Sequence, residues 1–240
     1  MILFLDYKGY DCSQTCLKVT TMEKIKFESK PHFRMYARSK LERLSNLYKR
    51  DKLIQKELTS LLKTLHVKNL LIYNPLPIEA DVRDVIATCR RRKCRVYVPF
   101  MEGISFKMVE WRLPLYKKSF NIKEPRNSFA IKPTIDLAVV PVIGVDGALR
   151  RIGFGKGMYD RFFDTLEKKP PVLFVQREFC MTPMLLAEEH DIAADIYLTP
   201  YNIIIKRGKN GHRVTRRWWS RCSERRCRFY YREKNGSCKL

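Results

Sequence analysis

The residues best suited to chemistry lie in one stretch, Arg150-Arg-Ile-Gly-Phe-Gly-Lys-Gly-Met-Tyr-Asp-Arg161. Glycines at 153, 155 and 157 let the backbone turn where other residues cannot, and bring N–H groups close to a ligand. Arg151 and Lys156 add cations suited to a polyphosphate. The stretch is predicted to join a core strand to a helix, which places those N–H groups at a helix N-terminus, where anions bind. The spacing fits neither GxGxxG nor GxxxxGK[ST], so neither a dinucleotide fingerprint nor a P-loop is read. On the residues alone, the stretch is either a phosphate cradle or a tight glycine turn without a ligand.

Other candidates are more scattered. Lys30 and Arg34 stand one helical turn apart and form either a phosphate-facing pair or a solvated basic face. Glu79 follows Asn74-Pro75 and Pro77 at a loop-to-helix junction, where an acid also suits a first helical turn. Asp160 is either a charge at a helix N-terminus or a carboxylate able to carry Mg²⁺ beside a polyphosphate. The histidines at 32, 66, 190 and 212 have no metal-like spacing. The 8 cysteines include no CxxC, which disfavours a zinc site and makes free thiols the expectation.

The elements that must position these residues read as mixed α/β. Residues 31–66 carry leucines and Ile54 at spacings near three and four, a helical pattern. Strands are predicted at 68–73, 95–99, 104–111, 135–142, 171–175, 196–199 and 203–205, with helices at 79–92 and from the glycine stretch to about 167. Short apolar runs alternating with helices predict one domain, a mainly parallel, Rossmann-like sheet covered by helices on both faces. The domain is read as residues 30–205, after an N-terminal extension over 1–29 and before a basic, weakly ordered tail over 206–240. That tail holds 13 Lys or Arg against 2 acids, almost half of the chain's +23. With 45% apolar residues and no apolar run near the ~20 residues that span a bilayer, a membrane protein is excluded, and a cytoplasmic monomer is expected.

The stretch Arg151-Ile-Gly153-Phe-Gly155-Lys-Gly157-Met-Tyr159-Asp160-Arg161 resembles the signature of the 5-formyltetrahydrofolate cyclo-ligases. Further pieces follow in the family's order: Lys30 with Arg34, Tyr73-Asn-Pro-Leu-Pro-Ile-Glu79-Ala-Asp81, Phe120-Asn-Ile-Lys-Glu-Pro125, and His190-Asp191 before Asp195 and Thr199-Pro200. The chain departs from the family at Val145-Asp146-Gly-Ala-Leu149, where Phe-Asp-x-x-Gly is usual, and at Met158, where a second tyrosine is common.

The resemblance implies an ATP- and Mg²⁺-dependent closure of 5-formyltetrahydrofolate to 5,10-methenyltetrahydrofolate through phosphorylation of the formyl oxygen. It places ATP on Lys30, Arg34, Arg151, Gly153, Phe154, Gly155, Lys156, Gly157, Met158 and Tyr159, with Arg151, Lys156 and Tyr159 catalytic. Asn74, Glu79 and Phe120 would hold the folate, and Asp160 and Asp191 the metal. Two rival readings remain. One is a catalytically inactive relative binding RNA through Trp218, Trp219, Phe229, Tyr230 and Tyr231 among the arginines of the tail, a tail that in the active enzyme is expected to bind polyanions only weakly. The other is a kinase-like enzyme acting on another small molecule.

Overall fold

The computed structural model describes residues 25–102, 105–112, 114–117, 123–125, 133–207 and 228–232. Helix α1 (Lys30–Glu42) starts behind Ser29, whose hydroxyl accepts from the His32 N–H, with a proline in the first turn. Helix α2 (Leu47–Thr64) follows. The leucine pattern over 31–66 reads as one helix, but Asn46 sits at φ 56°, a left-handed conformation that breaks it into two. Strand β1 (Asn69–Ile72) then leads through a loop to α3 (Arg83–Arg91), β2 (Arg95–Glu102) and β3 (Ser105–Glu110). Strands β4 (Leu115–Lys117) and β5 (Lys123–Pro125) form a separate ribbon. The chain continues with β6 (Leu137–Pro141), a small hairpin of β7 (Gly144–Val145) and β8 (Arg151–Ile152), and α4 (Met158–Asp164). Strands β9 (Val172–Val175), β10 (Ile196–Leu198) and β11 (Ile203–Arg207) complete the domain, and β12 (Arg228–Arg232) adds an edge strand.

The main sheet runs β12-β11-β10-β9-β6-β1-β2-β3. Its centre, β10-β9-β6-β1-β2, is parallel throughout, while β2 with β3 and β10 with β11 are antiparallel. Alternate residues face opposite layers. Leu71, Ala138, Val140 and Phe174 pack with Phe33, Ala37 and Leu41 of α1 and Phe162 and Phe163 of α4. Leu70, Ile72, Val139 and Leu173 pack with Ile54, Leu58 and Leu61 of α2 and Val85 and Ile86 of α3. Burial on both faces explains why β6 and β9 read as unbroken apolar runs.

Phe27 is fully buried and packs edge-on to Phe33 at 4.9 Å, so the core begins before Lys30. Strand β11 runs on to Arg207, and Arg228–Arg232 pair with it in parallel. The expected tail therefore contains a strand, formed where Phe229-Tyr-Tyr231 concentrates β-favouring side chains. Trp218 and Trp219 lie outside the described residues, as does the proposed N-terminal extension before residue 25.

The sheet reverses its winding between β1 and β6, since β1 leads outward to β2 while β6 returns to its other side. Doubly wound sheets bind ligands at the C-terminal ends of the strands flanking such a point. The Glu79 loop follows β1 there, and the glycine loop follows β6 by way of the β7–β8 hairpin.

Candidate active site

The hairpin delivers Arg151 to the head of the glycine loop. Its turn is held by Asp146, whose Oδ1 accepts from the Ala148 and Arg150 N–H groups at 2.9 and 2.8 Å and whose Oδ2 accepts from the Ala187 N–H at 3.2 Å. Leu149 adopts φ 57° within it. The Val145–Leu149 segment, where the chain departs from the family pattern, thus keeps its aspartate as the turn's anchor. Gly144 lets this hairpin sit against α1, because a Cβ there would lie 2.6 Å from a Phe33 ring carbon and 2.7 Å from the Cys180 carbonyl.

Arg151 is only 7% exposed. Its Nε donates to the Pro141 carbonyl at 3.3 Å, its guanidinium lies 4.8 Å above the Tyr159 ring, and Nη1 stands 3.6 Å from Asp160 Oδ2. A Cβ at Gly153 would fall 2.4 Å from Arg151 Nη1, so a side chain there would displace that guanidinium. Gly155 and Gly157 have φ of 96° and 59°, conformations that favour glycine. Arg34 reaches from α1 to donate to the Gly153 carbonyl at 2.7 Å, and Arg161 donates to the Lys156 carbonyl at 2.6 Å. The loop is therefore clamped by two guanidinium groups from outside it.

These groups surround a cavity of about 210 Å³. Lys30, Arg34, Arg151 and Arg161 line it together with Gly153, Gly155, Gly157, Asp160, Asp164, His190 and Asp191. Four cations, a glycine backbone and the first turn of a helix make a receptor for a polyphosphate. Both carboxylates expected to carry metal already face a cation: Asp191 accepts from Lys30 Nζ and from the Glu188 N–H at 2.7 Å, and Asp160 pairs with Arg151. Among the described residues no group of three His, Cys, Asp or Glu side chains could hold a metal by itself. That donor set suits Mg²⁺ held jointly by one carboxylate and phosphate oxygens, not by an all-protein cage.

The second half of the site is the loop after β1. Tyr73 is buried and donates to the Ala80 carbonyl at 2.8 Å. Gln55 of α2 donates to the Asp81 carbonyl at 2.6 Å, and Arg177, just after β9, donates to the Pro77 carbonyl at 2.7 Å. Glu79 is buried between these anchors, and its Oε2 accepts the Leu76 N–H at 2.9 Å. Burial pushes the Glu79 carboxyl up to about 7, against the opposing pull of that hydrogen bond and of the Arg151 and Arg177 guanidinium groups. Burial, and then the Glu79 carboxylate, hold the Tyr159 phenol above its usual range. Tyr159 packs against Phe106 at 4.7 Å and against both core layers, so it joins the cavity to the Glu79 loop.

Of the residues expected at the site, Lys30, Arg34, Arg151, the three loop glycines, Asp160 and Asp191 line this cavity together. Lys156 and Phe154 are exposed on the loop, and Met158 packs on the core at its base. Asn74 lies half-buried at the head of the Glu79 loop. Phe120 falls outside the described residues. Sequence reasoning left out Arg161, Asp164 and His190, although Arg161 closes the signature itself. It also missed Asp51 and Arg177, far apart in the chain with no local spacing to reveal them.

The sequence model of the 5-formyltetrahydrofolate cyclo-ligase family matches residues 28–200. A 5-formyltetrahydrofolate cyclo-ligase of Mycoplasma genitalium is 27% identical over 144 residues, covering 59% of this chain and 79% of that protein. One of Mycolicibacterium smegmatis is 32% identical over 94 residues, covering 38% of this chain and 48% of that protein. Among solved structures, the 5,10-methenyltetrahydrofolate synthetase of Aquifex aeolicus superposes with TM-score 0.62 at 25% identity, covering 72% of this chain and 91% of its own. The Mycoplasma pneumoniae synthetase shares the fold, with TM-score 0.56 at 23% identity over 71% of this chain and 98% of its own.

Proposed function

The chain belongs to the 5-formyltetrahydrofolate cyclo-ligase family, and from that premise we propose that it converts 5-formyltetrahydrofolate to 5,10-methenyltetrahydrofolate, with cleavage of ATP to ADP and phosphate. The observation that carries this reading is the contact between the two halves of the site. Arg151 of the cationic cavity lies on the Tyr159 ring, and its charge reaches the buried Glu79 carboxyl.

The chemical difficulty is that a formyl oxygen leaves poorly. Attack of that oxygen on the γ-phosphorus breaks the bond to ADP and creates a phosphate ester of the formyl group. The neighbouring amine then attacks the formyl carbon and gives up its proton, the carbon–oxygen bond breaks, and phosphate departs with that proton as the five-membered ring closes. Such a reaction asks the protein for alignment and charge neutralisation.

Lys30, Arg34 and Arg151 supply fixed positive charge around the triphosphate, and the glycine loop supplies backbone N–H groups. Lys156, exposed on the loop, can close over the ligand. The Asp191–Lys30 pair fixes the lysine at the cavity wall, and Asp160 holds Arg151 in place. Mg²⁺, when bound with ATP, would use Asp160, or Asp191 across the cavity, and would neutralise phosphate charge. On this reading Glu79, with Asn74 in the same loop, accepts hydrogen bonds from the N–H edge of the pterin, a task for its ionised form.

Purified protein mixed with 5-formyltetrahydrofolate, ATP and Mg²⁺ should form the methenyl product, followed by its near-ultraviolet absorbance, and omission of ATP should abolish it. Absence of product with both formyl isomers of the folate overturns the assignment.

A further inference from the structure

At the end of the sheet away from the cavity, positive charge gathers on the ends of three elements. Helix α3 finishes at Arg91, and the chain turns through Arg92 and Lys93, the latter at φ 59°. The Cys94 N–H closes on the Cys89 carbonyl at 3.0 Å, and β2 begins at Arg95. The Arg95 N–H donates to the Lys68 carbonyl at 2.8 Å, which joins this turn to the start of β1. Lys68, Arg90, Arg91, Arg92, Lys93 and Arg95 are all exposed. Among the described residues no ion pair reaches any of the six. The nearby Asp136 is committed to backbone, its Oδ2 accepting from the Lys68 and Asn69 N–H groups at 2.9 and 2.8 Å.

We propose that this edge is a docking surface for single-stranded RNA, separate from the ligase site. Four of the six cations are arginines, whose planar forks match phosphate better than an ammonium does. They stand on a helix end, a tight turn and two strand starts, so their spacing is fixed by the fold. These like charges, none of them in an ion pair among the described residues, repel one another, and a polyanion relieves that repulsion. Trp111 lies beside them: its backbone N–H donates to the Val96 carbonyl at 2.7 Å, and its side chain packs on the core while staying partly exposed, which leaves aromatic surface for a base to meet. An anionic membrane is the weaker fit, because none of the large exposed apolar side chains among the described residues lies on these segments to add insertion to the attraction of charge. This inference rests on surface chemistry and does not depend on the ligase reading.

The test compares the full chain with the triple variant Arg90→Glu/Arg92→Glu/Arg95→Glu. Its charge-matched control is Lys26→Glu/Arg43→Glu/Lys49→Glu, on exposed positions elsewhere. A fluorescent single-stranded RNA is titrated over a range of salt. The first variant should bind at least about tenfold more weakly, with the slope of log affinity against log salt reduced by about 2, since each lost contact on a single strand removes about 0.7. The control should change neither by more than about a third of that. Cyclo-ligase turnover and circular dichroism of both variants should match the parent, which shows that the fold persists; Arg→Gln at the same three positions serves if the glutamates unfold the chain. Equal losses in the control, or RNA binding unchanged in the first variant, overturn the proposal. So does selective loss of binding to phosphatidylserine vesicles with RNA binding intact.

Discussion

Arg177 and Asp51 form a two-pronged ion pair in the interior, with Nε and Nη2 each donating to one carboxylate oxygen at 2.8 Å, although 126 residues separate them. The third arm of the same guanidinium donates to the Pro77 carbonyl, so the pair ties α2, the end of β9 and the Glu79 loop together. Both partners are buried, so removal of one leaves a charge stranded away from water. Arg177→Met and Asp51→Ala should each cost about 3–5 kcal/mol of stability, measured by urea denaturation. In protein that remains folded, the folate KM should rise more than the ATP KM, because the pair supports only the Glu79 side. Equal rises would place the clamp's influence on the whole site.

Glycine at 153 and 155 is required for different reasons. Alanine at 153 would set its Cβ against the Arg151 guanidinium, which the Pro141 carbonyl and the Tyr159 ring hold in place. Gly153→Ala should therefore reproduce the kinetic defect of an Arg151 variant. Alanine at 155 meets only a 3.4 Å contact with Arg34, but must adopt φ 96°. A left-handed conformation costs an L-residue about 1–2 kcal/mol, so Gly155→Ala should raise the ATP KM about five- to thirtyfold. A variant with unchanged ATP KM at either position would remove the loop from the nucleotide site.

Arg151→Ala should raise the ATP KM about 10- to 150-fold, the value of one charge-assisted contact of about 1.5–3 kcal/mol. Because this guanidinium also packs on Tyr159 and bonds to Pro141, the alanine variant should lose stability as well. Arg151→Lys keeps the charge without the fork and should recover stability more than ATP affinity. Parallel recovery of both would mean that the residue is structural.

Much of this architecture is legible in the sequence. The unbroken apolar runs at β6 and β9 and the alternation of strands with helices give the doubly covered parallel sheet. The signature glycines give the cavity. What escapes the sequence is set by distant contacts or single backbone angles. Leucine spacing runs through the break at Asn46, because one left-handed residue leaves no periodic trace. Lys30 and Asp191 are both conspicuous as candidate ligands, yet nothing local shows that they pair with each other across 161 residues. Phe27 precedes the first helix and carries no pattern of its own, but it fills the space between Phe33 and Tyr36.

The Glu79 carboxyl, raised by burial to about 7, gives the proposed folate half of the site a pH signature. Below that value the group carries its proton and offers a donor to the pterin edge; above it, both oxygens accept. Folate affinity should therefore increase as pH rises, with the KM falling about tenfold between about pH 6 and about pH 8. Glu79→Gln should bind folate weakly and show no such dependence, while its ATP KM stays near that of the parent. A folate KM that rises with pH, or a variant that keeps the titration, would assign the dependence to another group.

The fate of the formyl oxygen tests the central claim most directly. When 5-formyltetrahydrofolate labelled with heavy oxygen in its formyl group is converted with ATP, phosphorylation of that oxygen sends the label into the released phosphate. The expected result is one labelled phosphate and one ADP for each methenyl product, read by mass spectrometry. Methenyl product accompanied by unlabelled phosphate, or ATP cleavage without product, would contradict it.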